Sequence, residues 1–235
     1  MLRVKDLDVY INNKRIVKGV NLEIKKGELH VLIGPNASGK SSLCYAIMGL
    51  PGYKTKGKII LNRENLSKKS IVERAKKGIA LAFQHPPSIK GVKVKRLLEE
   101  IGVEDGLIKE LSLERLLDRD LNKGFSGGEK KMLELVQVVS QKPRIAILDE
   151  IDSGIDIKRL EKIIKIVRER LIDRGIAVLM VTHNGEVIDK IKPDVVHIML
   201  HGKIICSSKN WRKVWSTIRR YGYEKCKECE LRADK

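Results

Sequence analysis

The chain has 235 residues, of which 48 are Lys or Arg and 30 are Asp or Glu, so its formal net charge is +18. This length allows one large core with a modest insertion and excludes two full domains with separate cores. No apolar stretch approaches the roughly 18 residues of a membrane helix, and the first ten residues lack the apolar core of a signal peptide. We therefore expect a soluble, cytoplasmic protein.

The positive charge leaves three kinds of partner open, namely nucleic acid, an anionic membrane surface and an acidic protein. The basic residues are dispersed among acidic ones, and only 4% of the residues are aromatic, so base stacking has little support. We expect a solvated charged surface and no specific nucleic-acid partner.

The first half of the chain predicts a β-rich start followed by a nucleotide-binding unit. A strand, a glycine loop and a helix from Lys40 to about Gly49 follow one another in the order that a phosphate site requires. Residues 95 to about 117 predict short charged helices of a small subdomain. The predicted strands lie at 7–11, 20–24, 29–33, 58–61 and 79–83.

The second half alternates apolar strands with amphipathic helices. One helix begins at Ser126 or Gly127 and runs to Gln141, and a longer one spans 158–174, with Gly175 placed to end it. This alternation predicts a mainly parallel sheet covered on both faces. The predicted strands lie at 145–148, 177–181 and 195–200.

A phosphate loop with the spacing G-x-x-x-x-G-K-S lies between a predicted strand and helix. Its backbone amides and the helix dipole can surround a polyphosphate. Lys40 would reach the β and γ phosphates, and the Ser41 hydroxyl would hold Mg²⁺. The predicted nucleotide-binding residues here are Gly34, Pro35, Asn36, Ala37, Ser38, Gly39, Lys40, Ser41 and Ser42.

Polar residues follow three of the apolar strands. Asp149 should emerge at the carboxyl end of a central strand, where open α/β sheets place ligands, and it suits a magnesium shell. Glu150 could orient or deprotonate the attacking water. Gln84 and His183 follow two other strands, so both should lie on the same edge as the phosphates.

A second glycine-rich helix start, 125–129 (FSGGE), lies well downstream of the phosphate loop. It has no free phosphate in its own subunit to serve. The pattern therefore indicates a nucleotide shared between two copies of the protein.

In this order the motifs resemble those of the ATP-binding-cassette (ABC) ATPases across nearly the whole chain. The set comprises the phosphate loop, Gln84, the signature at 125–129, the acidic pair Asp149 and Glu150, the loop at 153–156 and a switch histidine, His183. The resemblance implies an α/β fold: a P-loop NTPase (RecA-like) core with an N-terminal antiparallel β subdomain and a short helical signature subdomain. It implies a single domain over 1–235, with the helical subdomain at about 86–140 and a tail at about 222–235.

The resemblance also implies an ATPase that requires ATP and Mg²⁺ and forms a head-to-tail homodimer on ATP binding. Ser126 and the amides of Gly127 and Gly128 would contact the γ phosphate bound by the partner's Lys40, and Asp156 would couple the two sites. The implied roles are catalytic for Lys40, Gln84, Glu150 and His183, metal-binding for Ser41, Gln84 and Asp149, and nucleotide-binding for Ser126, Gly127, Gly128, Glu129 and Asp156.

A narrower resemblance is to the SufC-type ATPase of the Suf iron–sulfur cluster assembly system. It is carried by 27–30 (GELH), 81–84 with Pro86, 124–131 (GFSGGEKK), 148–157 (LDEIDSGIDI) and 191–197 (IKPDVVH). It implies a SufB or SufB–SufD scaffold that ATP hydrolysis rearranges. The alternative is the nucleotide-binding subunit of an ABC membrane transporter, with the membrane partner on a separate polypeptide. A cassette protein acting on nucleic acid is a third class, but the chain has neither tandem cassettes nor a long coiled-coil insertion.

The chain departs from the family pattern at two places that bear on these implications. Gln84 and Ser126 are only 42 positions apart, which is short for the intervening helical subdomain. Ala37 replaces a glycine that is common in the phosphate loop, and we expect this to be tolerated if the position does not require a positive φ.

The four cysteines do not form a disulfide framework in a chain of this size and compartment. We expect Cys44 to be a small buried residue. Cys226 and Cys229 form a lone C-x-x-C, too few ligands for a zinc or cluster site within one chain. They belong either to an idle tail or to a site completed by a second subunit.

Overall fold

A computed structural model describes residues 1–227 of the chain as two sheets surrounded by helices. The strands are β1 (Leu2–Ile11), β2 (Lys14–Ile24), β3 (Leu29–Ile33), β4 (Lys54–Leu61), β5 (Glu64–Asn65), β6 (Ile79–Ala82), β7 (Ile145–Asp149), β8 (Ala177–Val181), β9 (Val195–Leu200) and β10 (Lys203–Ser208). The α-helices are α1 (Lys40–Met48), α2 (Ile71–Lys76), α3 (Val94–Glu100), α4 (Asp105–Glu110), α5 (Gly127–Ser140), α6 (Ile157–Ile166), α7 (Gly185–Ile191) and α8 (Trp211–Tyr221).

The larger sheet has the order β10-β9-β3-β8-β7-β6. Its strands are parallel except β10, which pairs antiparallel with β9. The smaller sheet has the order β2-β1-β4-β5 and is antiparallel. The predicted α/β class with an N-terminal antiparallel β subdomain is therefore confirmed.

The parallel strands are buried on both faces. Alternate residues of one strand point to opposite sides of a sheet, and here they enter two separate apolar clusters. Val178 and Met180 of β8 join the cluster on the side of α5 and α6, whereas Leu179 and Val181 join the cluster that includes the smaller sheet and α1. Helices or sheet on both faces explain why these strands are largely apolar in sequence.

Several elements differ from their predicted extents, and among them β4 begins at Lys54 instead of residue 58. β1 and β2 are longer than the predicted 7–11 and 20–24, because irregularities in their pairing between Val4 and Val9 interrupt the alternation of buried and exposed residues. The helix predicted at 158–174 begins at Ile157 and widens to π-helical geometry over Val167–Ile172. Gly175, in the left-handed region at φ +73°, follows its last turn.

A buried arginine ties α2 to the carboxyl end of α1. Arg74 is 3% exposed, and its guanidinium donates to the carbonyl oxygens of Ala46 (2.8 Å), Ile47 (2.9 Å), Ser67 (3.0 Å) and Lys69 (2.9 Å). A cation at a helix carboxyl end also interacts favourably with the helix dipole. Because α1 follows the phosphate loop directly, Arg74 supports the element that positions that loop.

Two of the cysteines named in the sequence analysis, Cys44 and Cys226, are buried, and a third lies outside the described residues. Cys44 is buried on α1, as predicted. Cys226 is also buried, in the last turn that the structure describes, while Cys229 lies outside the described residues. Within residues 1–227, every helix is too short or too polar to span a lipid bilayer.

Candidate nucleotide site

The carboxyl ends of four neighbouring strands form one edge of the larger sheet. The phosphate loop follows β3, Gln84 comes shortly after β6, Glu150 follows β7 and His183 comes shortly after β8. These groups line a single cavity of about 340 Å³. The loop residues that line it are Asn36, Ala37, Ser38, Gly39, Lys40, Ser41 and Ser42. The structure thus places together residues that lie far apart in sequence.

The phosphate loop is wrapped tightly against the sheet. A Cβ atom on Gly34 would lie 2.2 Å from the Met199 carbonyl oxygen, so only glycine fits there. Ala37 has φ +59°, in the left-handed region. The premise that this position does not require a positive φ is therefore wrong. An L-residue other than glycine is disfavoured in that region by roughly 1–2 kcal/mol, which makes Ala37 a strained residue within the loop.

Lys40 lies inside the curve of this loop. It is 5% exposed, and its Nζ donates to the carbonyl oxygens of Gly34 at 2.9 Å and Pro35 at 3.0 Å. Burial lowers the pKa of Lys40, although the charges of Glu150 and Asp149 oppose that shift. A buried ammonium at the amino end of α1 suits a polyphosphate, because both the charge and the helix dipole attract anions.

Ser41 and Asp149 form a pair that fits a magnesium ion. The Ser41 hydroxyl donates to Asp149 Oδ1 at 3.1 Å. Asp149 is fully buried, and its Oδ2 has no hydrogen-bond partner of normal geometry among the described residues, although the Tyr45 hydroxyl interacts with the carboxylate. Burial raises the pKa of Asp149. A hydroxyl and a buried carboxylate are oxygen ligands of the kind that Mg²⁺ takes, so this pair would hold the ion.

Glu150 is oriented by Gln84 and lies beside His183. Gln84 Nε2 donates to Glu150 Oε2 at 2.7 Å, and His183 Nδ1 lies 3.6 Å from Glu150 Oε1. Glu150 itself has φ +48°, and its amide donates to the Val181 carbonyl at 3.0 Å, which fixes the turn after β7. In this conformation the Gln84 amide nitrogen donates to Glu150, and no hydrogen bond joins the Gln84 side chain to Ser41 or Asp149.

Two buried charged residues on α5 hold the backbone around Gln84, and the sequence reasoning missed this role. Lys131 Nζ donates to the Gln84 carbonyl at 2.6 Å, and Glu134 Oε2 accepts from the Phe83 amide at 3.1 Å. Burial lowers the pKa of Lys131 and raises that of Glu134. The sequence does contain a signal for them: two charged residues lie three positions apart on the face of a helix that is otherwise largely apolar and buried.

A third missed residue joins the turns after β7 and β8. Asp152 is 5% exposed, and its Oδ2 accepts from the Thr182 hydroxyl at 2.6 Å. Burial raises its pKa. This contact links the segment that carries Glu150 to the segment that carries His183.

The signature residues and Asp156 do not line the cavity. Ser126 caps α5: its Oγ accepts from the Glu129 amide, and its own amide donates to Glu129 Oε2 at 2.8 Å. Glu129 also pairs with Arg115 at 2.6 Å, so the contacts of its carboxylate are made within the chain. Asp156 caps α6, accepting from the Arg159 amide at 3.0 Å.

Gly128 allows the signature to pack against α6. A Cβ atom at this position would lie 2.4 Å from Arg159 Nη1. The Arg159 guanidinium therefore lies over the first turn of α5. The signature and the loop that carries Asp156 form one continuous surface, separate from the chain's own phosphate loop.

Comparisons with known proteins agree with this arrangement. Residues 17–153 match the family described as ABC transporter. Vegetative protein 296 of Bacillus subtilis is 43% identical over 226 residues, covering 88% of this chain and 86% of that protein. An uncharacterized ABC transporter ATP-binding protein of Methanocaldococcus jannaschii is 40% identical and covers 88% of each chain. The crystal structure of a nucleotide-free ATP-binding cassette from an ABC transporter shares the fold, with a TM-score of 0.80 at 22% identity over 96% of this chain and 98% of its own.

Proposed function

The chain belongs to the ABC transporter family, and from that premise we propose that it is the ATP-hydrolysing subunit of a larger machine, working as a pair of copies that share two nucleotides. As an ABC ATPase it uses ATP with Mg²⁺. The proposal concerns the roles of its residues, its dimerisation and the partner that it moves.

The observation that carries the catalytic proposal is the position of Glu150. Its carboxylate is held by Gln84 at the cavity that Lys40 and Ser41 also line. A carboxylate fixed at this edge can orient a water molecule and accept its proton, while Lys40 stabilises negative charge on the phosphates. His183 beside Glu150 is placed to sense the γ phosphate. Bound Mg²⁺, held by Ser41 and Asp149, would neutralise phosphate charge.

Dimerisation is supported by the separation of the signature from the cavity. α5 has 14 residues and begins with the Ser126 hydroxyl and the amides of Gly127 and Gly128, groups of the kind that bind an anion at a helix start. Since the chain's own phosphate loop lies elsewhere, a second copy would bring its nucleotide to this surface. Asp156 and Arg159, which adjoin the signature, would lie at the same junction.

The names of the relatives favour a transporter partner over a Suf scaffold. One relative is called an ABC transporter ATP-binding protein, and the family is described as ABC transporter. The membrane-embedded partner would be a separate polypeptide. The segment after Gln84 is a candidate contact surface, because it exposes 42% of Ile89 beside Lys90 and other basic residues.

A Suf-type scaffold, SufB or SufB with SufD, is the second candidate partner. It is supported by the segment 148–157, in which Asp152 is buried and bonded to Thr182, and by the signature flank with Glu129 and Lys131. In this version hydrolysis rearranges a soluble scaffold during iron–sulfur cluster assembly.

The catalytic proposal is tested with Glu150→Gln. Loss of a general base costs about 10²- to 10⁴-fold in rate, so hydrolysis should fall by that order while ATP affinity is retained. Sedimentation should show an ATP-dependent dimer for this variant and none for Lys40→Ala, the control that lacks the phosphate-binding cation. Hydrolysis equal to that of the parent would remove Glu150 from the base role. A variant that binds ATP and stays monomeric would contradict the shared site.

The partner is tested by capture on the ATP-trapped Glu150→Gln protein from native membranes and soluble extract in parallel, with Lys40→Ala as the matched control. An integral membrane protein enriched only with the trapped variant would support the transporter subunit. A soluble β-helical scaffold would support the Suf-type role and contradict transport.

A further inference from the structure

A second cavity, of about 510 Å³, lies at the opposite edge of the larger sheet from the nucleotide site. The chain segments that precede β3, β8 and β7, three neighbouring strands, meet there. Five basic side chains line it, and no carboxylate does. They are Lys26, Lys142, Arg144, Arg170 and Arg174. We call this cavity the basic pocket.

Two of these cations are compensated and three are not. Arg170 lies 2.6 Å from a carboxylate oxygen of Glu104, and Arg174 lies 3.6 Å from the other. Within residues 1–227, Lys26, Lys142 and Arg144 have no ion pair within 4.0 Å. Net positive charge therefore accumulates on the side of the pocket formed by the starts of β3 and β7.

The uncompensated cations share one electrostatic environment. Met1 also lines the pocket, and its amino group donates to Asn62 Oδ1 at 2.7 Å. Burial, followed by the charges of Arg144 and Lys26, lowers the pKa of this amino group. Cations gathered in this way repel one another, and an anion bound among them would relieve that repulsion.

The backbone builds this cluster, since its members do not form a run in the sequence. Gly175, at φ +73°, makes the turn before β8, and a Cβ atom on it would lie 3.0 Å from Lys26 Cε. The stem of Lys26 therefore crosses this turn. Lys142, at φ +44°, turns the chain between α5 and β7, which brings it and Arg144 to the same edge.

We propose that the basic pocket binds a small, multiply charged anion of the phosphate class, separately from the nucleotide site. Its volume lies in the range of small-ligand sites, roughly 300–1,000 Å³. No aromatic side chain lines it, so it offers no stacking surface for a nucleobase. Val139, Pro143 and Ile176 form an apolar wall on one side of the pocket, and Lys26, Lys142 and Arg144 are exposed to solvent, so an anion can reach them. These features suit an anion that is recognised by its charge and has no nucleobase, such as pyrophosphate or a short polyphosphate.

The experiment is a calorimetric titration of inorganic pyrophosphate into the full chain, with the nucleotide site first saturated with Mg–ADP. The parent should bind one pyrophosphate per chain. In Lys26→Gln/Lys142→Gln the Kd should rise about tenfold or more, because two cations facing the ligand are removed. The control Lys68→Gln/Lys209→Gln removes the same charge from exposed lysines outside the pocket, and its Kd should stay within about twofold of the parent's.

Lys26→Arg/Lys142→Arg should retain the affinity, and equal melting temperatures would show that the variants are folded. Absence of pyrophosphate binding, or equal losses in the glutamine pair and in its control, would overturn the proposal. So would an oligonucleotide that binds through Lys26 and Lys142 when pyrophosphate does not. A separate titration with Mg–ADP reports on the nucleotide site, so a failure there is distinguished from a failure of the basic pocket.

Discussion

Replacing Arg74 with Met should destabilise the protein by about 3 kcal/mol. The guanidinium makes four hydrogen bonds to backbone carbonyls, of which those to Ala46 and Ile47 lie at the carboxyl end of α1. A buried polar group left without its partner costs about 1–3 kcal/mol. Water or local rearrangement can satisfy some of the four carbonyls, and relief from burying a cation offsets part of the remainder. For a chain of this size about 3 kcal/mol corresponds to a fall in melting temperature of roughly 6–12 °C.

The assay is reversible urea unfolding with matched thermal melts of the parent, Arg74→Met and Arg74→Lys. Lysine keeps the charge near the helix end but lacks the planar guanidinium fork that reaches four carbonyls. The loss of unfolding free energy in Arg74→Lys should therefore lie between zero and the loss in Arg74→Met. An unfolding free energy within about 0.5 kcal/mol of the parent's for Arg74→Met, which is the usual range of surface substitutions, would refute the reasoning. Equal losses for Lys and Met would show that the fork, and not the charge, provides the stability.

Two further predictions concern other buried polar groups. Burial, and then the charge of His30, lower the pKa of His197 to about 3. Because the unfolded chain binds this proton near pH 6.5, the contribution of His197 to the free energy of unfolding is constant above that pH and falls by up to about 1.4 kcal/mol per pH unit as the pH drops towards 3. Urea titrations between pH 5 and 6.5 should therefore show a steeper loss of stability in the parent than in His197→Gln, and equal slopes would contradict the prediction. Glu134→Ala leaves the Phe83 amide without its acceptor, so unfolding should become easier by about 1–3 kcal/mol and hydrolysis should fall as Gln84 loses its support, whereas Glu134→Gln, which keeps an acceptor oxygen, should remain closer to the parent in both measurements.

The local sequence was enough to predict the parallel strands of the larger sheet and the phosphate loop. β3, β8 and β9 begin and end at the predicted residues, because strands buried on both faces consist mainly of apolar residues. The buried polar exceptions, His30 and His197, bond to each other at 2.9 Å. The phosphate loop was predictable for a related reason: Gly34 and Gly39, followed by Lys40 and Ser41, keep a fixed spacing between a strand and a helix. Parallel strand ends then predicted that Gln84, Glu150 and His183 would share one edge with that loop.

Tertiary structure decided what depends on contacts between distant segments. The spacing of Lys131 and Glu134 marks them as buried polar residues, but it does not give their partners. Arg74 caps α1 and Lys131 holds the Gln84 carbonyl through contacts with residues that are distant in sequence, and these contacts depend on how the helices pack on the sheet.

The nucleotide site could be predicted from the sequence, whereas the basic pocket could not. The sequence by itself determined the nucleotide site, since a glycine loop, a lysine and acids at strand ends carry their chemistry in local spacing. Only the tertiary structure assembled the basic pocket, because the turns before β3, β7 and β8 bring together Lys26, Arg144 and Arg174, which are dispersed along the chain. In the sequence they are part of a charge of +18 spread over 235 residues, whereas in the folded protein they face one cavity.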